Sequence, residues 1–510
     1  MRCHGPGKAE PGSAAEQPSS VPAETQWRAA RAHRASREGS FTLALLPGQQ
    51  ILPPPCLRPD GLRHRGVEDT DTGSIATRDM AMWRSWLTLA AFGYSAAANA
   101  VMFFDFVVLS DLSAHIFDVD VGDIAMTYSL ALFTTLPTAF LVAYFLPRQS
   151  YYVFGAGAFF NTVAAWLRWG STVQGSWAMC MASTVCVGVA FAVCCMSYAV
   201  MGERWFPPEF QILATSIGVQ ANYAGACLSA FLKPTVVQER QDLEQFLFWQ
   251  AVAVSVAIIL FVVLHDESAG NALPEEIPSL RRNLRSLCRH PRFFLKMACY
   301  ATLGAVSYTI PAVQDVLISE TLHTTPAFTK WTDASFIAIG VVSGMVFSVR
   351  ELRNPDRLIL STFVAASLGL VAASLIVSPL LASTSVALRR GSLVVAMAVV
   401  GGASLGFLGV ALAHICHEVP EVHESISAGA VEWFVQAGGA LLSSFAVNRH
   451  GFEICGALVV TATGILIIDF ILARKDRKAS GSHLPLDCPE MSGETSGETK
   501  EEASESSAEL

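Results

Sequence analysis

The chain has 510 residues, of which 52% are apolar and only 15% charged, and its mean hydropathy is +0.43. Soluble domains carry closer to about 25% charged residues, so this deficit argues against a water-soluble protein and for a polytopic membrane protein. The net charge of −9 says little about partners, because much of it sits in a Ser- and Glu-rich tail after Lys478, a composition expected to stay disordered.

Residues 1–80 are rich in Pro, Gly, Ser, Ala and Arg, and their one apolar piece, from Phe41 to Leu46, is too short to span a bilayer. They read as a disordered cytoplasmic extension. A cleaved targeting peptide is the alternative, against which Glu10, Glu16, Glu24 and Glu38 argue. From Trp83 onward twelve apolar segments follow, at residues 84–109, 126–146, 151–170, 177–201, 209–233, 243–265, 293–318, 331–349, 357–380, 391–415, 426–447 and 452–473. About 20 apolar residues cross a ~30 Å hydrocarbon core, and the segments are close to that length.

The widest connection, residues 265–292, divides the chain into two sets of six and holds Arg281, Arg282, Arg285, Arg289 and Arg292. The positive-inside rule makes this loop cytoplasmic, together with Arg148, Arg204, the Arg350, Arg353 and Arg357 group, and both termini. Arg389 and Arg390 fall outside and break the rule. The expected organisation is an extension (1–80), a first six-helix half (81–265), a cytoplasmic loop (266–292), a second six-helix half (293–473) and an acidic tail (474–510).

Taken in order, the spans carry few polar groups. Asp105 follows Phe103 and Phe104 in the outer third of span one, and Asp315 takes the same place in span seven, seven residues after Tyr308. Twofold halves of a transporter are often repeats about the membrane normal, and this pair of aspartates reads as a trace of one. The loop after span two is Leu146-Pro147-Arg148-Gln149. In span four Cys194 and Cys195 read as a buried pair of small residues, not as metal ligands; no CxxC or His spacing accompanies the twelve cysteines.

Residues 202–234 organise the chain. Glu203 and Arg204 precede Trp205-Phe206-Pro207-Pro208, an interfacial elbow, and the next charge after Glu209 is Lys233. Within this fifth span Gln220, Asn222 and Tyr223 lie within one turn, flanked by Gly218, Gly225, Ala226 and Ser229. Polar groups beside close-packing residues mark a helix that lines a wet cavity inside a bundle; bonding to neighbouring helices alone is the other reading. In span eleven Glu432 and Gln436 are four apart and share a helix face.

An intramembrane carboxylate costs about 2.5–3.5 kcal/mol at the bilayer centre and needs a partner or a task. Asp105, Asp315 and Glu432 are the three such acids, and the spans hold almost no Lys or Arg away from their ends, so no buried ion pair is evident. A net acidic cavity follows, suited to a cation or a proton. Solvation of the two aspartates at the outer mouth is the alternative for Asp105 and Asp315.

The elbow resembles the feline leukaemia virus subgroup C receptor family of the major facilitator superfamily, whose members carry a W-F-x-P elbow before the fifth span. The resemblance runs from about Arg84 to Phe470. It includes Asn161, Trp166, Arg168 and Ser171 at the end of span three, and Ser343-Gly344-Met345 in span eight. It also includes Pro420-Glu421, Ser427, Gly429 and Gln436 leading into span eleven. The resemblance implies an all-α membrane protein of twelve transmembrane helices in two halves. It implies alternating access around a midplane site for choline or ethanolamine, with haem as another substrate proposed for the family.

Carried over by local pattern, the family's headgroup-binding tryptophan falls on Phe103, its tyrosine on Tyr308 and its substrate glutamine on Gln436. Asn222 and Tyr223 stand where the family has Asn-Gln, and an acid, Glu432, stands where it has a neutral polar residue, which puts the substrate in doubt. Aromatic faces hold quaternary ammonium groups at about 0.5–2 kcal/mol each. Arg148 and Arg204 are expected to serve gating, although Arg148 lacks the usual preceding Gly-x-x-x-Asp. The rivals are a proton-coupled carrier of another solute, with Glu432 or Asp315 as the proton site, and a non-transporting membrane receptor. No P-loop, zinc spacing or nucleophile elbow occurs, so neither an enzyme nor a cofactor is expected. The expected partners are the lipid bilayer and a small molecule, an organic cation or haem, and not nucleic acid; a monomer in the plasma or an organelle membrane is expected.

Overall fold

The computed structural model describes residues 72–270, 279–322, 326–350, 355–381, 383–445 and 450–479. Residues 1–71 and 480–510, which hold most of the expected extension and the acidic tail, lie outside them. Among the described residues all regular structure is helical. The first set comprises α1 (Thr72–Phe103), α2 (Ser110–Phe117), α3 (Val121–Phe145), α4 (Ser150–Gln174), α5 (Trp177–Trp205), α6 (Pro208–Val236) and α7 (Arg240–Leu264). A short α8 (Leu280–Leu287) precedes the second set. That set is α9 (Pro291–Leu322), α10 (Pro326–Arg350), α11 (Pro355–Val377), α12 (Val386–Ser404), α13 (Leu408–Glu418), α14 (Glu424–Phe445) and α15 (Gly451–Ala479).

Every expected span is therefore helical, and α1 with α2 and α12 with α13 each form one span broken in the middle. Nine spans among the described residues are long and apolar enough by themselves to cross a membrane. The three that are not, α4, α6 and α14, each carry a pair of buried polar side chains: Asn161 and Arg168, Gln220 and Asn222, Glu432 and Gln436. Their polarity is compatible with a bilayer because other helices, not lipid, surround those faces.

Local chemistry sets the boundaries of α6. Pro207 holds an extended backbone after α5 ends at Trp205, Pro208 occupies the first turn where its missing amide costs nothing, and Glu209 faces the positive helix end. The connection between the two sets of helices contains α8. The Ser279 hydroxyl caps it by accepting from the Arg282 amide, and Leu280, Leu284 and Leu287 recur at helical spacing opposite Arg281, Arg282 and Arg285.

Each set packs mainly within itself. The two sets meet where α6 lies against α10 and α13, and where α14 lies against α3 and α5. Glycine allows the closest approach: a Cβ on Gly225 of α6 would stand 2.2 Å from the Ala97 carbonyl oxygen of α1. Only a residue without a side chain fits there.

Both breaks depend on α6. After α1 the Asp105 amide turns back to the Met102 carbonyl at 3.1 Å, so the Val101 carbonyl loses its usual helical donor. Lys233 Nζ and Ser229 Oγ of α6 donate to it instead, at 2.6 and 3.1 Å. At the second break the Leu405 carbonyl accepts from Gln220 Nε2 of α6 at 3.1 Å. The span that organises the sequence thus satisfies backbone opened at two broken helices, one in each half.

Candidate functional site

A narrow cavity lies between the two sets of helices. Its wall is made by Phe103 and Phe104 at the end of α1, Tyr128 of α3, Phe191 of α5, Asn222 and Tyr223 of α6, and Ser307 and Tyr308 of α9, among others. Its volume is about 30 Å³. That holds about two waters. The rings close it: Phe103 packs edge-on against Phe191 (centroids 4.8 Å apart) and Tyr128 (5.4 Å), Phe191 faces Tyr308 (6.3 Å), and Tyr308 faces Tyr223 (5.9 Å). The Tyr128 hydroxyl donates to the Tyr308 carbonyl at 3.2 Å and so bridges the halves. The Tyr223 hydroxyl is buried beside Tyr308 and Ser307.

Of the residues expected at a substrate site, Phe103, Asn222, Tyr223 and Tyr308 therefore come together on one wall. Asn222 also donates to the Ala96 carbonyl at 3.2 Å, which fixes its amide. Gln220 is not on that wall as described; it is a strut between α6 and the broken tenth span, and Gly344 leaves the space its amide fills.

Glu432 and Gln436 lie beside this wall. Glu432 is fully buried, at 0% exposure. One carboxylate oxygen accepts from Gln436 Nε2 at 3.2 Å, and the other has no partner. Glu432 stands close enough to Tyr198, Tyr223 and Tyr308 to act on them electrostatically. Gln436 Nε2 also lies 3.8 Å from Cys195 Sγ across the boundary between the halves. No Lys, Arg or His pairs with Glu432 among the described residues.

Asp105 corrects the reading of the sequence. It is fully buried, but it is already half of an ion cluster: Lys233 Nζ stands 2.5 Å from Oδ1, Arg168 Nη1 3.5 Å from Oδ2, and Gln250 Nε2 donates to Oδ2 at 2.8 Å. Lys233 and Arg168 are both buried as well. Each lies near a helix end in the sequence, where a cation ordinarily reaches for the interface. The break in span one draws them inward instead, because it exposes a carboxylate and a free carbonyl. Asp105 is thus engaged by α4, α6 and α7 and does not add negative charge to the cavity. Asp315 lies in α9, and its side chain is outside the described residues.

At the end of the bundle that carries α8, Arg148 Nη1 donates to the Tyr144 carbonyl at 2.6 Å and its guanidinium lies 4.5 Å from the Tyr144 ring. Arg204 bonds Ser150 and Glu267 and stacks over Trp205. Both contact sets lie before α8 in the chain. Burial works to raise the Glu267 carboxyl, but hydrogen bonds from His265 and Ser150 and the Arg204 charge outweigh it and hold the group below its ordinary value. Between the halves at this end, His417 Nε2 lies 3.8 Å from Glu203 Oε1.

One further cluster has ligand spacing. His414 Nε2 is 3.0 Å from Asp356 Oδ1 and 3.6 Å from Glu418 Oε1, beside a pocket of about 380 Å³. The Lys296 ammonium already pairs with both acids, which makes it an ion network more than a vacant metal centre.

Sequence reasoning missed Phe104, Tyr128, Phe191, Lys233 and Arg168. A tyrosine in mid-span is a weak signal for Tyr128, since its hydroxyl needs a partner. Nothing in sequence distinguishes Phe104 or Phe191 from packing residues.

Comparison with known proteins agrees with this arrangement. The family model described as Major Facilitator Superfamily matches residues 86–443. No curated protein matches the chain. Among solved structures, FucP in the outward conformation is similar at a TM-score of 0.55 and 13% identity, covering 75% of this chain and 99% of that one. A variant of the E. coli fucose:proton symporter FucP gives 0.52 and 12%, covering 75% and 98%. The human organic anion transporter MFSD10 (TETRAN) gives 0.51 and 10%, covering 76% and 99%. At these identities the likeness is one of fold. With two sets of helices around a central cavity and a family match over most of its length, the chain belongs to the Major Facilitator Superfamily.

Proposed function

We propose that this protein is a multi-pass carrier that moves a small organic cation, of the choline or ethanolamine kind, by alternating access of its two halves. One observation carries the reading: an aromatic cavity between the halves lies beside a buried acid that has no basic partner among the described residues. Ring faces attract an ammonium group by about 0.5–2 kcal/mol each, more as water is excluded, and Glu432 supplies the opposite charge. At about 30 Å³ the cavity is smaller than an organic cation, so substrate access requires the rings of one half to withdraw from those of the other. Haem, a rigid macrocycle, would need a far larger opening than a small ammonium ion, which favours the smaller substrate.

Tracer uptake by proteoliposomes, across choline, ethanolamine, haem and amino acids, tests the reading. Uptake of the cations above protein-free vesicles is the expected result, and uptake confined to haem or amino acids would refute it. A second reading, a proton-coupled carrier of another small solute, is favoured by the neutral amide that is the only hydrogen-bond donor to Glu432 among the described residues. No uptake of any solute would favour a non-transporting receptor on this fold.

A further inference from the structure

Resting on the organic-cation reading of the cavity, the question left by Glu432 is what balances its charge while no substrate cation is bound. Among the described residues, the groups that face the Glu432 carboxyl are neutral, and the charged groups of the packed elements are engaged elsewhere. From α5 these are Cys195 and Tyr198, from α9 Tyr308, and Tyr223 of α6 completes the set around the carboxyl. On α3, the Tyr128 hydroxyl is committed to the Tyr308 carbonyl. On α13, His414 and Glu418 are held in the network with Lys296 and Asp356, His417 faces Glu203, and Cys416 accepts from Ser427. The arginines of α8, Arg281, Arg282 and Arg285, are exposed. An ionised carboxylate in such surroundings, with one amide donor and one oxygen unpartnered, bears a large desolvation cost and takes up a proton instead.

We propose that Glu432 exchanges that proton for the ammonium group of the substrate, one for one, so that the carrier works as an electroneutral antiporter of organic cation and proton. The step balances. The carboxyl O–H breaks as the cavity opens on one side, the proton leaves to that side's water, and the carboxylate pairs with the entering cation. On the other side the cation leaves and a proton returns. The translocated site is neutral in both crossings, so neither burdens the apolar interior with a net charge. Gln436 stays hydrogen-bonded to the carboxyl in either form, since its amide both donates and accepts; its own carbonyl oxygen is unpartnered in the closed state and is free to accept from the protonated acid.

The test uses the full-length protein in liposomes with radiolabelled choline and ethanolamine. Potassium is equal on both sides with valinomycin, so the membrane potential is zero. An inside-acid gradient of one pH unit is expected to accumulate the cation up to about tenfold, the ratio that one-for-one exchange allows. A potassium diffusion potential without a pH gradient is expected to drive no accumulation. Accumulation by the potential and not by the pH gradient overturns the exchange while leaving the cation reading intact. No uptake of either cation under both gradients overturns that reading and the exchange with it. Glu432→Gln is expected to lose the pH drive and to become responsive to the potential, and Glu432→Asp to retain the pH drive. Unchanged pH-driven accumulation in Glu432→Gln overturns the assignment to this residue; if that variant does not fold, the wild-type gradients still decide.

Discussion

Removing one charge at a time from the buried cluster around Asp105 should produce an unequal series. Lys233 Nζ has three acceptors, the Val101 carbonyl, Ser229 Oγ and Asp105, which match the three protons of an ammonium group. Arg168 holds Asp105 more loosely, at 3.5 Å, lies 4.9 Å over the Phe106 ring, and has its Nε unpartnered. The cluster therefore holds two cations and one anion. Asp105→Asn leaves both cations buried without a counter-ion, a change that costs about 3–5 kcal/mol in measured buried pairs. Lys233→Met leaves Asp105 facing Arg168 and Gln250, and Ser229 still donates to Val101. The loss there is that of charged hydrogen bonds, about 1–3 kcal/mol.

The double variant removes one charge of each sign and should be more stable than Asp105→Asn alone. Thermal unfolding in detergent, compared at one scan rate because such unfolding is commonly irreversible, reads the series. Midpoints should fall by about 6–10 °C for Asp105→Asn and about 2–6 °C for Lys233→Met, at about 2 °C per kcal/mol for a large domain. Lys233→Met falling as far as Asp105→Asn, or a double variant below both singles, would refute the charge balance derived from these distances.

Other consequences are simpler to state. Tyr308→Ala and Phe103→Ala should weaken cation binding about tenfold or more and Tyr308→Phe far less, because the ring face supplies the attraction; equal losses at Tyr308 in a binding titration would point to a hydrogen bond instead. Phe103→Trp should tighten binding, since the indole face is the stronger one. Gly225→Ala must push α1 from α6, because its Cβ would meet the Ala97 carbonyl at 2.2 Å, and should lower the thermal midpoint by the equivalent of about 1–3 kcal/mol; a midpoint equal to wild type would show that the helices can part freely. Glu267 is held below its ordinary value in the folded state, so its stabilising contribution is present above that ordinary value and is lost as pH falls through the folded value. Glu267→Gln should accordingly be less stable than wild type near neutral pH, and the two melting curves should converge in acid.

What could be read directly from the sequence were properties that follow from composition and one-dimensional order. The charge deficit and twelve apolar runs specify a helical membrane protein, because a bilayer requires every backbone group to be satisfied within a helix or a closed barrel. Trp205 to Pro208 fixes the start of α6 through proline stereochemistry alone. The helical repeat places Glu432 and Gln436 on one face, and the structure keeps them hydrogen-bonded. Tyr308 and Phe103 were legible only through the resemblance, since one aromatic in an apolar helix is indistinguishable from its packing neighbours, whereas Tyr223 stood out beside Gln220 and Asn222.

The tertiary structure decided what each polar group faces. Asp105 and Glu432 look alike in sequence, each an acid within an apolar run. The break after α1 turns Asp105 toward Lys233 and Arg168, residues 128 and 63 positions away in the chain, while α14 leaves Glu432 with one amide. Partnership across such separations depends on helix rotation and depth, which are set by contacts such as that of Gly225 with Ala97. Helical periodicity constrains a residue's neighbours on its own helix; which charges meet between helices is settled by packing, and that distinction separates a closed ion cluster from an acid free to exchange its proton.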